Sequence, residues 1–564
     1  MSRKANTMKT LKTLLRTILL VALLVALGTT TALAADNNTI TISSETSGHT
    51  YQAYQVFAGT FSSTTGKLTN ITWGSGVNGT NLLAAIKADT TYGGSFSSCS
   101  TAADVAQVIS TSYPASTAFA NALAKLVSAN LTTTHTDSGA PSGSYTYTIS
   151  NLTDGYYFVN EASLGTTPDN AYTKFLLQVV DNVTVSAKTD KPAIALKVLE
   201  NNDGTYKNTW NDAADYSIGT AVPYRIVSIV PDMTYYDTYY YQMTDTISSG
   251  STFNASSVKV YYVNSAGAMY DIETSTSTGA GGTQLSSGYT VSPTAGGFTL
   301  TFSDLSNTSG VPVLGGGYLV VEYTATLNSN ASVQVPATPG NATEVYLTYS
   351  NNPNNADGSG TGVTPKDEVV VYTFRLTINK VDSSTPAVPL TGATFALFTD
   401  STNATTAAAD PATVANFATA LTFTGSAGSY TRSTSGDYTL SGTAGGVYTI
   451  GGLDQGTYYL VEISAPAGYN RLITPVSVVI DPTYHDGAQS SAYVDGHVPD
   501  ATGDQLITVT ANGGTALDVV NQAGATLPET GGMGTKLFTI GGLSLMLVAL
   551  VIVLLRKKNA AHKD

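Results

Sequence analysis

Three polar residues stand where apolar strand residues are expected, and together they have the chemistry to form an amide bond. Lys380 ends the alternating row in "TFRLTINKVD", Glu462 ends the row in "TYYLVEISAP", and Asn521 ends the row in "ALDVVNQ". Because strand side chains alternate between two faces, each residue continues an inward-facing apolar row. An unpaired buried charge is costly, so we expect Lys380 and Glu462 to lie close together.

Burial gives these side chains a specific reactivity. Desolvation lowers the pKa of a lysine and raises that of a carboxyl group. A neutral Lys380 amine can attack the carboxamide of Asn521 while a protonated Glu462 polarises its C=O, so that ammonia leaves and a Lys–Asn amide remains. The alternative is a buried Lys–Glu ion pair with an asparagine hydrogen bond.

Short β-strands must position these residues. Alternating runs such as "SSVKVYYVN", "GFTLTFSDL" and "GYLVVEYTATL", separated by Gly, Asn, Ser and Pro, predict sandwiches or barrels. The exception is "TAADVAQVISTSYPASTAFANALAKLVSAN", where Val105, Ile109, Phe119 and Leu123 recur at helical spacing. The sequence therefore predicts a mainly β protein of about three domains, the first with added helices.

Both ends of the chain carry targeting signals. Basic residues precede the apolar run "ILLVALLVAL" and the small residues "ALA", which predicts a signal peptide over residues 1–34. Residues 537–555 are uncharged and long enough to cross a bilayer, and a buried core helix is the alternative. The basic tail, 556–564, is expected in the cytoplasm by the positive-inside rule. Pro- and Gly-rich junctions divide the exported part into domains at 35–188, 189–365 and 366–526.

Composition excludes several classes of function. Removing the five basic residues of the leader, and the five basic and one acidic residues after Thr530, leaves 15 basic and 38 acidic residues, a net charge of −23. That balance argues against nucleic-acid binding. The five histidines are scattered from His49 to His562, so we expect no metal, no cofactor and no enzyme active site. The single cysteine, Cys99, excludes an internal disulfide, and its flanks favour an unreactive thiol over a thioester.

The third domain resembles a known family. Its segments "INKVD", "GATFALF", "YYLVEISAPAGY" and "VVNQ" resemble the Cna B-type, SpaA-like domains of Gram-positive surface proteins. The resemblance implies an immunoglobulin-like (Cna-type) β-sandwich with an internal isopeptide bond. The matching residues are Lys380 and Asn521 as the bonded pair and Glu462 as the promoting acid.

The middle domain resembles the isopeptide-forming middle domain of backbone pilins, through "KPAIALKVLE", "NDAADYSIGTAVPYRI", "YYYQMTDTISSGSTF" and "EVYLTYSNNP". The resemblance implies that Lys197 is the nucleophile, Asp245 the promoting acid and Asn351 the acceptor. Strand alternation favours Asn351 over Asn352. With the third domain, this predicts two internal amide bonds and the loss of two ammonia molecules.

The first domain departs from that pattern. "YTISNLTDGYYFVNEAS" looks like a relative of the Glu-bearing strand, with Glu161 in line with Tyr157 and Val159. The strand segment "NTITISSETSGHTYQAYQVF" has no lysine. We therefore predict no internal crosslink in this domain and an ordinary strand role for Glu161.

The stretch before the apolar segment resembles the sortase sorting signal LPxTG: Leu527, Pro528, Glu529, Thr530 and Gly531. The resemblance implies cleavage after Thr530 by a membrane-bound cysteine transpeptidase, which holds Thr530 as a thioester. The leaving segment and its basic tail keep the substrate at the membrane until that step. The product would be a protein of the cell wall and cell surface.

A lysine at the end of the first domain resembles the linking residue of pilins. In "DNVTVSAK", alternation directs Val183 and Val185 inward and Lys188 to solvent, where backbone pilins carry the lysine of a "VxVYPK" motif. Lys191 is the second candidate. In this chain, "SAK" stands where the pilin motif has "YPK".

The resemblance of the whole chain implies a structural subunit of a covalently polymerised surface pilus, with Thr530 of one subunit joined to Lys188 of the next. Its expected partners are a pilin-specific sortase, other copies of itself, accessory pilins and peptidoglycan. The alternative is a monomeric wall-anchored adhesin, and the sequence specifies no host ligand.

Overall fold

In a computed structural model, the chain forms three β-rich units followed by a long C-terminal helix. The structure describes residues 37–44, 47–114, 116–143, 145–164, 172–187, 192–202, 207–333, 340–353, 360–480, 516–524 and 533–560. The expectation of a mainly β fold with helices in the first unit is confirmed. The predicted signal peptide, residues 1–34, lies outside the described residues.

The first unit packs two sheets and three helices around two adjoining apolar clusters. Its strands are β1 (Asn38–Ser43), β2 (His49–Ser62), β3 (Lys67–Trp73), β4 (Thr136–Asp137), β5 (Thr146–Leu152), β6 (Gly155–Leu164), β7 (Lys174–Val179) and β8 (Val183–Ser186). Its helices are α1 (Gly79–Ala88), α2 (Ala102–Ser112) and α3 (Thr117–Ser128). One sheet has the order β5-β1-β8, with β8 parallel to β1; the other has the order β3-β2-β6-β7, with β4 beside β2.

Helices α2 and α3 form where the apolar spacing predicts them. Thr101 caps α2 by accepting a hydrogen bond from the backbone N–H of Asp104, and the Asp104 carboxylate accepts from the Thr101 N–H. Val105 and Ile109 of α2 and Phe119 of α3 are buried among the same apolar residues. The helices therefore cover one face of the β3-β2-β6-β7 sheet.

The middle unit is a sandwich of two large sheets. Its strands are β9 (Ile194–Leu199), β10 (Trp210–Asn211), β11 (Ala213–Asp215), β12 (Ala221–Val230), β13 (Tyr241–Ile247), β14 (Ser251–Val263), β15 (Thr283–Leu285), β16 (Thr290–Thr294), β17 (Gly297–Phe302), β18 (Gly317–Leu327), β19 (Asn341–Ser350), β20 (Thr361–Val363) and β21 (Asp367–Tyr372), with the short helix α4 (Met269–Glu273). The sheet orders are β10-β9-β12-β18-β14-β15 and β11-β21-β19-β13-β17-β16, with β20 beside β19.

Strand β21 belongs to a sheet of the middle unit, so the middle unit ends later in the chain than expected. It pairs with β19 from Asn341 to Val345 and so completes a sheet of the middle unit. Val369 and Val371 face the middle core, whereas Val370 and Tyr372 pack into the third core. The boundary expected between residues 365 and 366 is therefore about seven residues too early, because the Pro- and Gly-rich stretch precedes the last strand of the middle unit.

The third unit is a smaller sandwich. Its elements are β22 (Phe374–Asp382), β23 (Thr394–Phe398), α5 (Ser401–Ala409), β24 (Phe423–Ser426), β25 (Ser429–Arg432), β26 (Leu440–Ser441), β27 (Val447–Leu453), β28 (Gly456–Ser464), β29 (Val476–Ile480) and β30 (Leu517–Asn521). The sheet orders are β24-β25-β27-β22-β30 and β26-β23-β28-β29. The first strand, β22, thus lies directly beside the last, β30, and the two run parallel.

The C-terminal helix α6 (Met533–Ala560) contains the predicted membrane span. Its section Lys536–Lys558 has a mean hydropathy of 2.7 and is long and apolar enough to cross a membrane. The side chains described in this section are exposed. An apolar surface of this length without protein cover is typical of a helix that lies in lipid, which argues against a buried core helix.

A carboxyl group lies inside the core of the middle unit. The Asp245 carboxyl is buried between the sheets, where it accepts a hydrogen bond from the Tyr323 hydroxyl at 2.7 Å. Tyr323 in turn stacks on Tyr224. Burial raises the pKa of Asp245 from its ordinary value of 3.8 to about 8. Asp245 is therefore a neutral acid in the folded protein near neutral pH.

This position predicts a pH dependence of the middle unit. Because the folded-state pKa is raised, the stabilisation is complete below the unfolded pKa and is lost as pH rises from about 4 to about 8, by roughly 1.4 kcal/mol per pH unit. Asp245→Asn should remove this slope. The measurement is calorimetry of residues 35–530 between pH 4 and 8.5, with Thr246→Asn, an exposed position on the same strand, as control. Equal slopes in wild type and Asp245→Asn would contradict the assignment.

Candidate functional site

The amine of Lys380 is buried and donates to backbone oxygens. The residue is on β22, directly opposite Val519 of β30, and its side chain is fully buried. The Nζ donates to the backbone oxygens of Val519 at 2.7 Å and of Val381 at 3.2 Å. Among the described residues, Lys380 forms no ion pair. Two acceptors match the two N–H groups of a neutral amine, whereas an ammonium needs three.

Burial lowers the pKa of Lys380, and the nearby charge of Glu462 only partly opposes this effect. The predicted row of Phe374, Leu376, Ile378 and Lys380 is confirmed as an inward-facing row, because all four side chains are buried. Burial thus makes the neutral form, which nucleophilic attack requires, more accessible than it is in an exposed lysine.

Glu462 and Asn521 are held together, and Asn521 follows two residues after Val519, the residue opposite Lys380. Glu462 ends the buried row of β28, and Asn521 ends β30. The Asn521 Nδ2 donates to both carboxylate oxygens of Glu462 at 3.0 Å and to the backbone oxygen of Asn470 at 2.9 Å. The Leu472 N–H donates to Glu462 Oε2 at 2.7 Å. The loop after β28 therefore fixes both the acid and the carboxamide.

The orientation of the carboxamide differs from the expectation. The carbonyl oxygen of Asn470 can only accept, so it directs the amide nitrogen of Asn521 towards itself and Glu462. Asn521 Oδ1 is buried with no hydrogen-bond partner among the described residues. Glu462 therefore stands at the nitrogen that would leave as ammonia, and not at the C=O that we expected it to polarise. In that position a carboxyl group can pass a proton to the leaving nitrogen.

Lys197, in contrast to Lys380, is surrounded by carboxylates. Its Nζ lies 2.5 Å from Asp212 Oδ1 and 3.7 Å from Glu273 Oε2, and all three side chains are buried. Burial by itself would lower the pKa of Lys197, but the charges of Asp212, Glu273 and Asp367 outweigh it and raise the pKa. A lysine held in its charged form by carboxylates is a structural ion-pair residue and a poor nucleophile.

The proposed triad of the middle domain is not assembled. Leu196 and Val198 of β9 face the core, so Lys197 points to the opposite side of its sheet from Asp245. Asp245 is opposite Val345 in the β13–β19 register. Asn351 lies six positions further along that strand direction, or about 20 Å at the rise of a β-strand. The structure therefore does not bring Lys197, Asp245 and Asn351 together, as the predicted crosslink would require.

Asn351 instead lies at the contact between the first and middle units. Its backbone oxygen accepts from the Tyr172 N–H at 2.9 Å. Two residues later, the oxygen of Pro353 accepts from the buried amine of Lys174 at 3.2 Å. Burial lowers the pKa of Lys174 to about 8. The alternation that favoured Asn351 over Asn352 is consistent with the burial of Val345, Leu347 and Tyr349, but the acceptor role is not supported.

Glu161 has a buried partner that the sequence did not reveal. Its Oε1 lies 2.5 Å from Nδ1 of His49, and its Oε2 accepts from the Thr173 N–H at 2.8 Å. Both side chains are buried, with Tyr51 and Tyr147 packed around the imidazole. Where the third domain has a lysine beside its glutamate, the first domain has a histidine. Glu161 is therefore more than an ordinary strand residue, and the absence of an internal crosslink in this domain stays a prediction.

Several sequence-predicted residues lie outside the described part of the chain. These are Lys188, Lys191 and the sorting signal Leu527–Gly531. The strand before Lys188 has the predicted alternation, since Val185 is buried and Thr184 and Ser186 are exposed. Cys99 is buried in the first core, and burial raises the pKa of its thiol, as expected of an unreactive cysteine.

Comparison with known proteins identifies two segments. Residues 374–491 match a SpaA prealbumin-like fold domain, and residues 519–560 match an LPXTG cell-wall anchor motif. The chain is 27% identical over 410 residues to the trypsin-resistant surface T6 protein of Streptococcus pyogenes serotype M6, covering 67% of this chain and 71% of that protein.

Solved structures of pilins also align with the chain, at low similarity. The T6 backbone pilin of S. pyogenes matches at 16% identity and a TM-score of 0.47, covering 88% of this chain and all of that one. The major pilin SpaD of Corynebacterium diphtheriae matches at 17% identity and a TM-score of 0.41, covering 87% and 99%. The chain thus contains a SpaA prealbumin-like fold domain and an LPXTG cell-wall anchor motif, and it is similar in sequence to the T6 surface protein.

Proposed function

We propose that this protein is the structural subunit of a covalently polymerised surface fibre. A sortase cleaves after Thr530 and holds that residue as a thioester, and the amine of Lys188 on another copy displaces the enzyme thiol to form an amide. Its sequence similarity to the T6 protein and its anchor motif support this function. The observation on which this proposed function mainly rests is a sorting signal with an adjoining apolar helix, at the end of a chain of β-rich units.

We further propose that the third domain closes itself with an amide between Lys380 and Asn521. The neutral amine attacks Cγ of Asn521, the C–N bond to Nδ2 breaks, and ammonia leaves. The Glu462 carboxylate accepts a proton from the Lys380 amine as the new bond forms and passes it to the departing nitrogen, so the carboxylate is unchanged at the end. Contacts of Glu462 with Nδ2, and the burial of all three side chains, support this step.

Such a bond would suit a load-bearing fibre. It would join the first strand of the domain, β22, to its last, β30, which already lie side by side. Treated like a disulfide, the closed loop from Lys380 to Asn521 would stabilise the domain by about 5 kcal/mol. Force applied between the two ends of the domain would then pass through a covalent link.

The internal bond can be tested by intact mass. Residues 35–530, produced alone, should weigh less than the sequence by one molecule of ammonia. Glu462→Ala should restore the missing ammonia and lower the thermal midpoint of the third domain, because the loop is then open. Lys197→Ala is the matched control, and it should keep the deficit since Lys197 is a salt-bridged lysine. A wild-type protein of full mass would remove the internal bond; a deficit of two would restore the second crosslink.

Polymerisation can be tested on the cell wall. In a strain with the cognate pilin sortase, wild type should give a high-mass ladder, and Lys188→Ala should collapse it to monomer that is still anchored. An exposed amine is mostly protonated at neutral pH, so the enzyme must select and deprotonate one lysine.

Lys191→Ala serves as the matched control and should retain the ladder. Loss of the ladder in Lys191→Ala alone would assign the link to Lys191. Anchored monomer without any ladder in wild type would favour a monomeric adhesin.

A further inference from the structure

The sheet next to the linking lysine has an open edge. In the order β5-β1-β8, strand β8 (Val183–Ser186) is the last strand, and β1 is its only strand partner among the described residues. Lys188 follows only two residues after Ser186. An unpaired edge presents backbone N–H and C=O groups that another extended segment can join.

The hydrogen bonds to β1 identify which backbone groups face outward. The Ala187 N–H donates to Ser43 O of β1 at 2.8 Å. Because backbone groups alternate in direction along a strand, Val183 and Val185 also face β1, whereas the N–H and C=O groups of Thr184 and Ser186 face away. The side chains of Thr184 and Ser186 are exposed as well.

We propose that this edge is the docking site for the sorting segment of another copy, residues 525–530, which adds to β8 as a further strand before and after linkage. The inference rests on the proposed function. The occupant follows from the length of chain: the last described residue of the third unit is Gly524, and the acyl group to be transferred is on Thr530. Six residues span about 20 Å when extended, enough to follow the whole of β8.

The position of the reacting groups fixes the direction of the added strand. If residues 525–529 run parallel to β8, Thr530 arrives beside the C-terminal end of β8, within reach of the Lys188 side chain. If they run antiparallel, Thr530 arrives beside Val183 instead, about 10 Å back along the strand. The docked strand must therefore be parallel, as β8 is to β1.

The sequence of the segment fits an edge strand. Pro528 has no backbone N–H, so it is tolerated where its nitrogen faces solvent. With Pro528 facing outward, the neighbouring Leu527 and Glu529 direct their backbone groups towards Thr184 and Ser186. The docked segment would then be the new edge, with its proline blocking further strand addition.

The first test removes the outward-facing backbone N–H of Thr184. Thr184→Pro removes that donor and places a ring at the edge while leaving the β1 ladder intact; Thr184→Val retains the donor and is the matched control. On full-length protein in cells with the cognate sortase, ladder formation should slow by about tenfold or more in Thr184→Pro, the effect of losing one or two hydrogen bonds, and remain near wild type in Thr184→Val. Equal rates in both variants would overturn the proposal.

A second measurement does not depend on a variant. In purified sortase-linked polymer, amide hydrogen exchange at Thr184 and Ser186 should be slower than in monomer by about tenfold or more, with little change at Val185, which already bonds to β1. Unchanged exchange at Thr184 and Ser186 would refute docking even though polymer forms. Failure of wild type to polymerise at all would instead refute the proposed function, so the two failures are distinguishable.

Discussion

The third domain depends on a lysine amine buried beside backbone carbonyls and an asparagine, with no carboxylate to form an ion pair among the described residues. Burial lowers the pKa of Lys380, so the amine loses its proton more easily than an exposed lysine does. The parallel pairing of β22 and β30 brings this amine to the end of the last strand, where Asn521 lies. Converting the pair to an amide would remove the ionisable group altogether and join the ends of the domain.

The pKa values of Lys197 and Lys380 are shifted in opposite directions because the two lysines have different surroundings. Both lysines are on the first strand of a sandwich and both are buried, yet Lys197 is surrounded by Asp212, Glu273 and Asp367. These carboxylates hold it charged. The middle domain is therefore stabilised by an ion-pair cluster and a large apolar core, whereas the third has the arrangement for a covalent closure.

Residue patterns within single segments predicted the features that depend on neighbouring residues. Strand alternation placed Lys380, Glu462 and Asn521 on inward faces, and helical spacing located α2 and α3. The register between distant strands cannot be read from any one segment, so the sequence did not predict the separation of Asp245 and Asn351. One available signal was overlooked: Leu196 and Val198 flank Lys197, which already directs Lys197 away from the core. The pairing of His49 with Glu161 joins strands far apart in sequence and had no local signal.

Above all, we propose that Lys380 and Asn521 are covalently joined in the folded protein. Tandem mass spectrometry of a proteolytic digest of mature protein tests it directly, because it identifies which residues share a bond. The digest should contain one branched peptide in which the Lys380 segment is joined through its side chain to the Asn521 segment, with ammonia lost. Recovery of the two segments only as separate linear peptides with intact side chains would contradict it.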